Sequence, residues 1–296
     1  MPFATADDGT MLYYADEGVG EAILFLHEYG GDPRSWDPQI DAFSKTHRCV
    51  ATASRGYTPS GIPDDASAYS HQIVAEDARA VLDHLEIEKA HVVGLSMGAY
   101  TGLMLALRHP DRVITLTAAS GGSGSHPADN PPYRQESQDR ADAMLTDGAF
   151  PADAFANGPT RLQLKRKNPV EWKRFRDELA EHDVVGAAHV LREIVGGRPS
   201  LYTFEDQLAA ATTPVLFMVG DEDEPVLDIN LWLKRTMPGA GLQVVPKSGH
   251  LLNLEEPDAF NQRIQRFHEL VAGGNWPLRD MSTVGFGGVA PAPDAT

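Results

Sequence analysis

The chain has 296 residues, 42% of them hydrophobic and 23% charged, which is ordinary for a soluble globular protein and excludes a disordered, collagen-like or disulfide-stapled chain. Lys and Arg number 25 against 42 Asp and Glu, a net charge of −17, so the basic face of a DNA or RNA binder is not expected. The one cysteine, Cys49, can form neither an internal disulfide nor a cysteine-based zinc cluster, and its apolar neighbours predict a buried thiol.

The N-terminal residues Met-Pro-Phe-Ala-Thr-Ala-Asp-Asp-Gly carry no basic segment followed by an apolar one, so a cytoplasmic chain is expected. Residues 10–16 predict an edge strand. Residues 22–27 form a continuous apolar run, as in a strand covered on both faces. A short helix over 35–43, a strand over 47–53 and a Gly/Pro/Asp/Ser-rich loop over 55–70 follow. Ile73, Val74, Ala78, Val81, Leu82 and Leu85 recur at helical spacing over 71–85. Next come a strand over 90–95, a helix over 97–108 and a strand over 113–119. Strands separated by helices predict parallel pairing. The apolar stretch 92–107 is too short, and too broken by glycines, to span a bilayer.

The alternation stops after Ala119. From about 133 to 208 only helical patterns occur; it resumes with strand 214–220, helix 227–236, strand 242–246 and helix 257–271. The predicted fold class is therefore α/β, a mostly parallel sheet flanked by helices and interrupted by a helical insertion. The core is expected over 1–120 and 209–272, a helical cap over 121–208, and a Gly/Pro-rich tail over 273–296.

The strongest chemical signal is Gly94-Leu-Ser96-Met-Gly98, a G-x-S-x-G between an apolar strand and a helix. A tight strand-to-helix turn projects the serine above the carboxyl edge of the sheet, and the N–H of Met97 can face a developing oxyanion. A serine hydroxyl needs a base. His250, just after the last strand, falls at the same edge. The base needs an acid, and the strand ending at Gly220 leads into Asp221, Glu222, Asp223 and Glu224. The loop His27-Glu28-Tyr29-Gly30-Gly31 follows an early strand, and the Tyr29 N–H is the second oxyanion candidate. Among the other histidines, His109 reads as a helix cap, and His189 is a candidate to line a pocket. Trp172, Trp232 and Trp276 read as packing anchors, Trp36 or Phe43 as a pocket wall, and Lys165-Arg-Lys167 as a solvated helix end.

These motifs together resemble the α/β-hydrolase fold family, in particular its lidded esterase, lactonase and haloperoxidase-like members. Gly94 to Gly98 matches the nucleophile elbow. Ser54-Arg-Gly-Tyr-Thr-Pro-Ser60 resembles the D-x-R-G-x-G-x-S loop, with Thr58 and Pro59 departing from it. Gly220-Asp-Glu-Asp223 resembles the acid loop and selects Asp223 over Asp221. Ser248-Gly-His250 with Glu255-Glu-Pro257 resembles the histidine loop, and His27 to Gly31 resembles the H-G-x-x-G oxyanion loop. Glu28 stands where that loop has glycine. Its side chain is expected to point away from the oxyanion as a loop clamp, held by a loop N–H or by Arg55, with a direct substrate-contacting or acid–base role as the alternative.

The resemblance implies a Ser96, Asp223, His250 triad, with oxyanion donors at Tyr29 and Met97, acting on a small or medium carboxylic ester or lactone. A carbon–carbon bond hydrolase, a cofactor-free perhydrolase and a non-catalytic ligand-binding member are the alternatives. No organic cofactor and no metal are expected. The expected partner is a small-molecule substrate, with no nucleic acid or membrane, and a homodimer is compatible with the sequence.

Overall fold

The structure, a computed structural model, describes residues 2–284; the end of the Gly/Pro-rich tail, 285–296, lies outside the described residues. Eight strands form one sheet: β1 (Phe3–Thr5), β2 (Met11–Glu17), β3 (Ala22–Leu26), β4 (Arg48–Thr52), β5 (Ala90–Leu95), β6 (Val113–Ala119), β7 (Val215–Gly220) and β8 (Ala240–Val245). Their spatial order is β1-β2-β4-β3-β5-β6-β7-β8. From β4 to β8 every pairing is parallel; β1–β2 and β2–β4 are antiparallel.

β3, β5 and β7 are buried at every position, because helices cover both faces of the sheet. The two-residue strand period sorts their side chains. Ile23 and Phe25 join one apolar cluster, with α1 (Asp37–Phe43) and the last long helix of the chain; Leu24 and Leu26 join the other, with α2 (His71–His84) and α3 (Met97–Arg108). Each fully buried Leu, Ile or Phe contributes about 1.5–3 kcal/mol, so these two layers hold the strand ends in place.

Between β6 and β7 the chain is helical: α4 (Asn130–Asp147), α5 (Ala152–Ala156), α6 (Leu162–Lys167), α7 (Pro169–Leu179), α8 (Val184–His189) and α9 (Glu205–Ala210). A π-helical stretch, Val190–Val195, extends α8. After β7 come α10 (Glu224–Thr236), then β8, α11 (Leu252–Glu255) and α12 (Pro257–Ala272). No helix among the described residues is long and apolar enough to cross a membrane.

Three expectations need correction. The 10–16 strand is not an edge: β1 pairs outside β2, and its three residues are too few to carry a periodic signal. α10 starts at Glu224 rather than 227, because Pro225 in the first turn opens a helix instead of delaying it. Trp36 is fully buried between Phe25 and Phe260 and does not line the cavity that holds Ser96. Cys49 is a buried free thiol, and burial pushes it up to about 12. Trp276 packs on Phe267 and donates to the Gly239 carbonyl, so the start of the tail is tied to the sheet.

Candidate active site

Ser96 sits between β5 and α3 with φ 54° and ψ −106°, a conformation that costs a non-glycine residue about 1–3 kcal/mol. The turn is this tight only because its neighbours are glycines. A Cβ on Gly94 would lie 2.2 Å from the Gly98 carbonyl oxygen, and one on Gly98 would lie 1.9 Å from that of Leu26. The central position of β5 in the sheet puts Ser96 beside the loops that leave β3, β7 and β8.

Of the four carboxylates after β7, Asp223 is the one that reaches His250: its Oδ2 lies 2.7 Å from Nδ1. Both residues are buried. Glu222 is turned to Gln163 and Arg166 of α6 instead. The His250 loop is held from behind. Glu255 accepts from the N–H groups of Gly249 and Leu251, Lys167 stands 3.6 Å from its carboxylate, and the His250 N–H donates to the Thr160 carbonyl. Lys167 also donates to Ser248 Oγ. The basic run 165–167 is therefore not simply a solvated helix end: Arg166 and Lys167 join the insertion to the acid and histidine loops.

The loop after β3 is fixed by a neutral histidine. The Ser54 N–H donates to His27 Nε2, so Nδ1 carries the proton and donates to the Glu28 carbonyl at 2.6 Å. Burial pushes His27 down to about 4, which keeps it neutral. Tyr57 Oη accepts from the Gly30 N–H, and His182 Nε2 donates to the Gly30 carbonyl. Among the described residues, neither the Tyr29 nor the Met97 backbone N–H has an acceptor. Tyr29, Ser96, Met97, Asp223 and His250 all line one cavity of ≈ 660 Å³. His189 does not line it and stacks on Tyr69.

Glu28 is held by a partner other than the two expected. Its carboxylate is fully buried and turns toward the site: Oε2 accepts from Arg161 Nη2 at 2.7 Å and lies 3.6 Å from His250 Nε2. Oε1 has no hydrogen-bond partner among the described residues. Arg55 is not its partner, being committed to Asp77 and Asp8.

Three arginines line the cavity, Arg140, Arg161 and Arg198, none of them singled out by the sequence; the last two are the less exposed. Arg161 lies over the Phe155 ring at 4.0 Å and keeps a buried Nε without an acceptor. Arg198 donates to the Ser123 carbonyl beneath Tyr100 and Tyr133. Leu191 and Val195 of the π-helical stretch supply apolar wall, and a second chamber of ≈ 510 Å³ shares Tyr29, Phe155 and Arg161 with the first. None of the three lies in a local motif; only the folded insertion brings them to Ser96.

A family model of the alpha/beta hydrolase fold matches residues 21–257. The 3-oxoadipate enol-lactonase 1 of Acinetobacter baylyi is 28% identical over 83% of this chain and 88% of its own. The 2-hydroxy-6-oxononadienedioate/2-hydroxy-6-oxononatrienedioate hydrolase of Burkholderia vietnamiensis is 29% identical over 88% and 92%. The crystal structure of the enol-lactonase from Burkholderia xenovorans LB400 superposes with a TM-score of 0.76 at 25% identity, covering 90% of this chain and all of that one. With its sheet order, its strained serine turn and a family model that spans most of its length, the chain belongs to the alpha/beta hydrolase fold family of enzymes.

Proposed function

We propose that the protein is a serine hydrolase that cleaves a small or medium carboxylic ester or lactone through an acyl-enzyme. The observation that carries this reading is the shared cavity. Ser96 in its strained turn, the Asp223–His250 pair, and Tyr29 and Met97, whose N–H groups have no acceptor among the described residues, all line it. His250 takes the Ser96 proton as the hydroxyl attacks the carbonyl, and Asp223 holds the ring tautomer and stabilises the imidazolium. The Tyr29 and Met97 N–H groups receive the oxyanion. The imidazolium protonates the leaving alkoxide, and then His250 activates water to release the acid. The insertion supplies much of the wall around the site, through Tyr133, Phe155, Leu191 and Val195.

The substrate class we favour carries a carboxylate. Arg161 offers a buried donor without an acceptor, Arg198 is held at one nitrogen only, and both stand in the cavity with Ser96. The names of two relatives, an oxoadipate enol-lactonase and a nonadienedioate hydrolase, point to such substrates for those proteins.

The test is turnover of paired esters and lactones that differ only in a pendant carboxylate, with wild type and Arg198→Met. The expected result is cleavage of both, a lower KM for the carboxylate member, and loss of that preference in the variant. No hydrolysis of any ester or lactone, or of a β-diketone in its place, overturns the hydrolase reading. Equal KM values for the pair overturn the carboxylate preference alone.

A further inference from the structure

Glu28 occupies a position where a side chain was expected to avoid the chemistry, and its geometry does not fit a mere loop clamp. A clamp needs only its donor and no contact with the base. Glu28 binds one donor, Arg161, leaves Oε1 unpartnered, and sets Oε2 3.6 Å from Nε2 of His250. Nε2 is the nitrogen that must accept and then return the serine proton in the function proposed above, on which this inference rests.

We infer that Glu28 is a positioning residue that acts through His250: a second carboxylate, opposite Asp223, that favours the imidazolium over the neutral ring during acyl transfer. A negative charge beside Nε2 repels the lone pair of the neutral ring and attracts the N–H of the protonated one. The imidazolium of the tetrahedral intermediate is then flanked by Asp223 at Nδ1 and Glu28 at Nε2. Burial of both carboxylates keeps water from screening the interaction. No atom is transferred to Glu28; the proton still travels from Ser96 to Nε2 and on to the leaving group.

Arg161 sets the strength of this effect. Its guanidinium draws charge away from Glu28 and fixes the carboxylate in place at 2.7 Å. The other charged groups around His250 are accounted for. Glu222 is paired with Arg166, Glu255 with Lys167 behind the loop, and Glu224, Asp129, Glu136 and Arg140 stand elsewhere on the cavity lining. Glu28 and Asp223 are the carboxylates in direct contact with the ring.

The experiment compares wild type, Glu28→Gln, Glu28→Asp and Arg161→Met. It measures kcat and kcat/KM against pH on a p-nitrophenyl ester, and the His250 titration by NMR in the Ser96→Ala background. Glu28→Gln keeps the shape and removes the charge. It is expected to move the acid limb and the His250 titration to lower pH, and to lower plateau kcat about tenfold or more with KM little changed. Arg161→Met is expected to move the titration the other way, and Glu28→Asp to restore most of the wild-type profile. A Glu28→Gln protein whose His250 titrates as in wild type, with kcat within twofold, overturns the inference. A loss of thermal stability with no movement of the titration assigns Glu28 to the loop alone and overturns it equally. The NMR readout needs no turnover, so an inactive wild type would count against the hydrolase reading and leave this measurement decisive on its own.

Discussion

At the scale of the residue, Ser96 trades stability for geometry. Its φ of 54° is left-handed, where a Cβ is strained, and the fold holds it there between two glycines that cannot be enlarged. Ser96→Gly removes that strain, so denaturant melts are expected to give a gain of about 1 kcal/mol alongside complete loss of turnover. A variant that is no more stable would mean that the turn is relaxed and the φ is not a store of strain. The roles proposed for Ser96, Asp223 and His250 were legible because each follows an apolar strand within a few residues and carries its own local motif. The partner of Glu28 was not. Arg161 is 133 residues away, and Arg55, nearer in sequence, is held by two aspartates that chain order does not bring to mind.

At the scale of the element, the histidine loop depends on α6, an element outside the sheet. Lys167 spans Ser248, Glu256 and the buried Glu255, whose carboxylate holds the N–H groups on either side of His250. Burial raises the Glu255 carboxyl above its ordinary range, so its charge leans on this lysine. Lys167→Ala is expected to destabilise the fold by about 2 kcal/mol and to speed hydrogen exchange over residues 248–252, with a lower kcat/KM as the ring loses its fixed position. Unchanged exchange in that loop would show that Glu255 holds it without help. Periodicity found α2, α3, β5 and β6 in the sequence because one face or both faces of each are apolar. It gave no sign of α6 as a clamp, since a run of Lys-Arg-Lys reads the same whether its charges meet water or a neighbouring loop.

At the scale of the whole molecule, the end of the sheet at the N-terminal ends of the parallel strands carries a second kind of constraint. His91, the second residue of β5, stacks on His268 of α12 with ring centroids 3.7 Å apart. His91 is bonded to Thr115 and Glu21, whereas both ring nitrogens of His268 are buried without a partner among the described residues. Burial, with His91 and His47 nearby, pushes His268 down to about 2, and burial lowers His91 as well. In the unfolded chain these rings titrate near 6.5. Between that pH and about 2 the unfolded state binds a proton that the folded state refuses at His268, so stability rises with pH across the window and is lost as pH falls below about 6.5. Each such ring steepens the loss by up to about 1.4 kcal/mol per pH unit. His27, at about 4, adds to it over a narrower span, and Glu76, held at about 2 chiefly by Arg79, His109 and Arg108 against its burial, joins only below the carboxylate range. His268→Phe keeps a flat ring on His91 and removes the proton site. Its denaturation midpoint is expected to fall less steeply than that of wild type from pH 6.5 to 4.5, with the two proteins differing least in slope above pH 7. Parallel slopes across the acid window would mean that His268 is protonated in the fold and that acid sensitivity arises at His27 and the paired carboxylates.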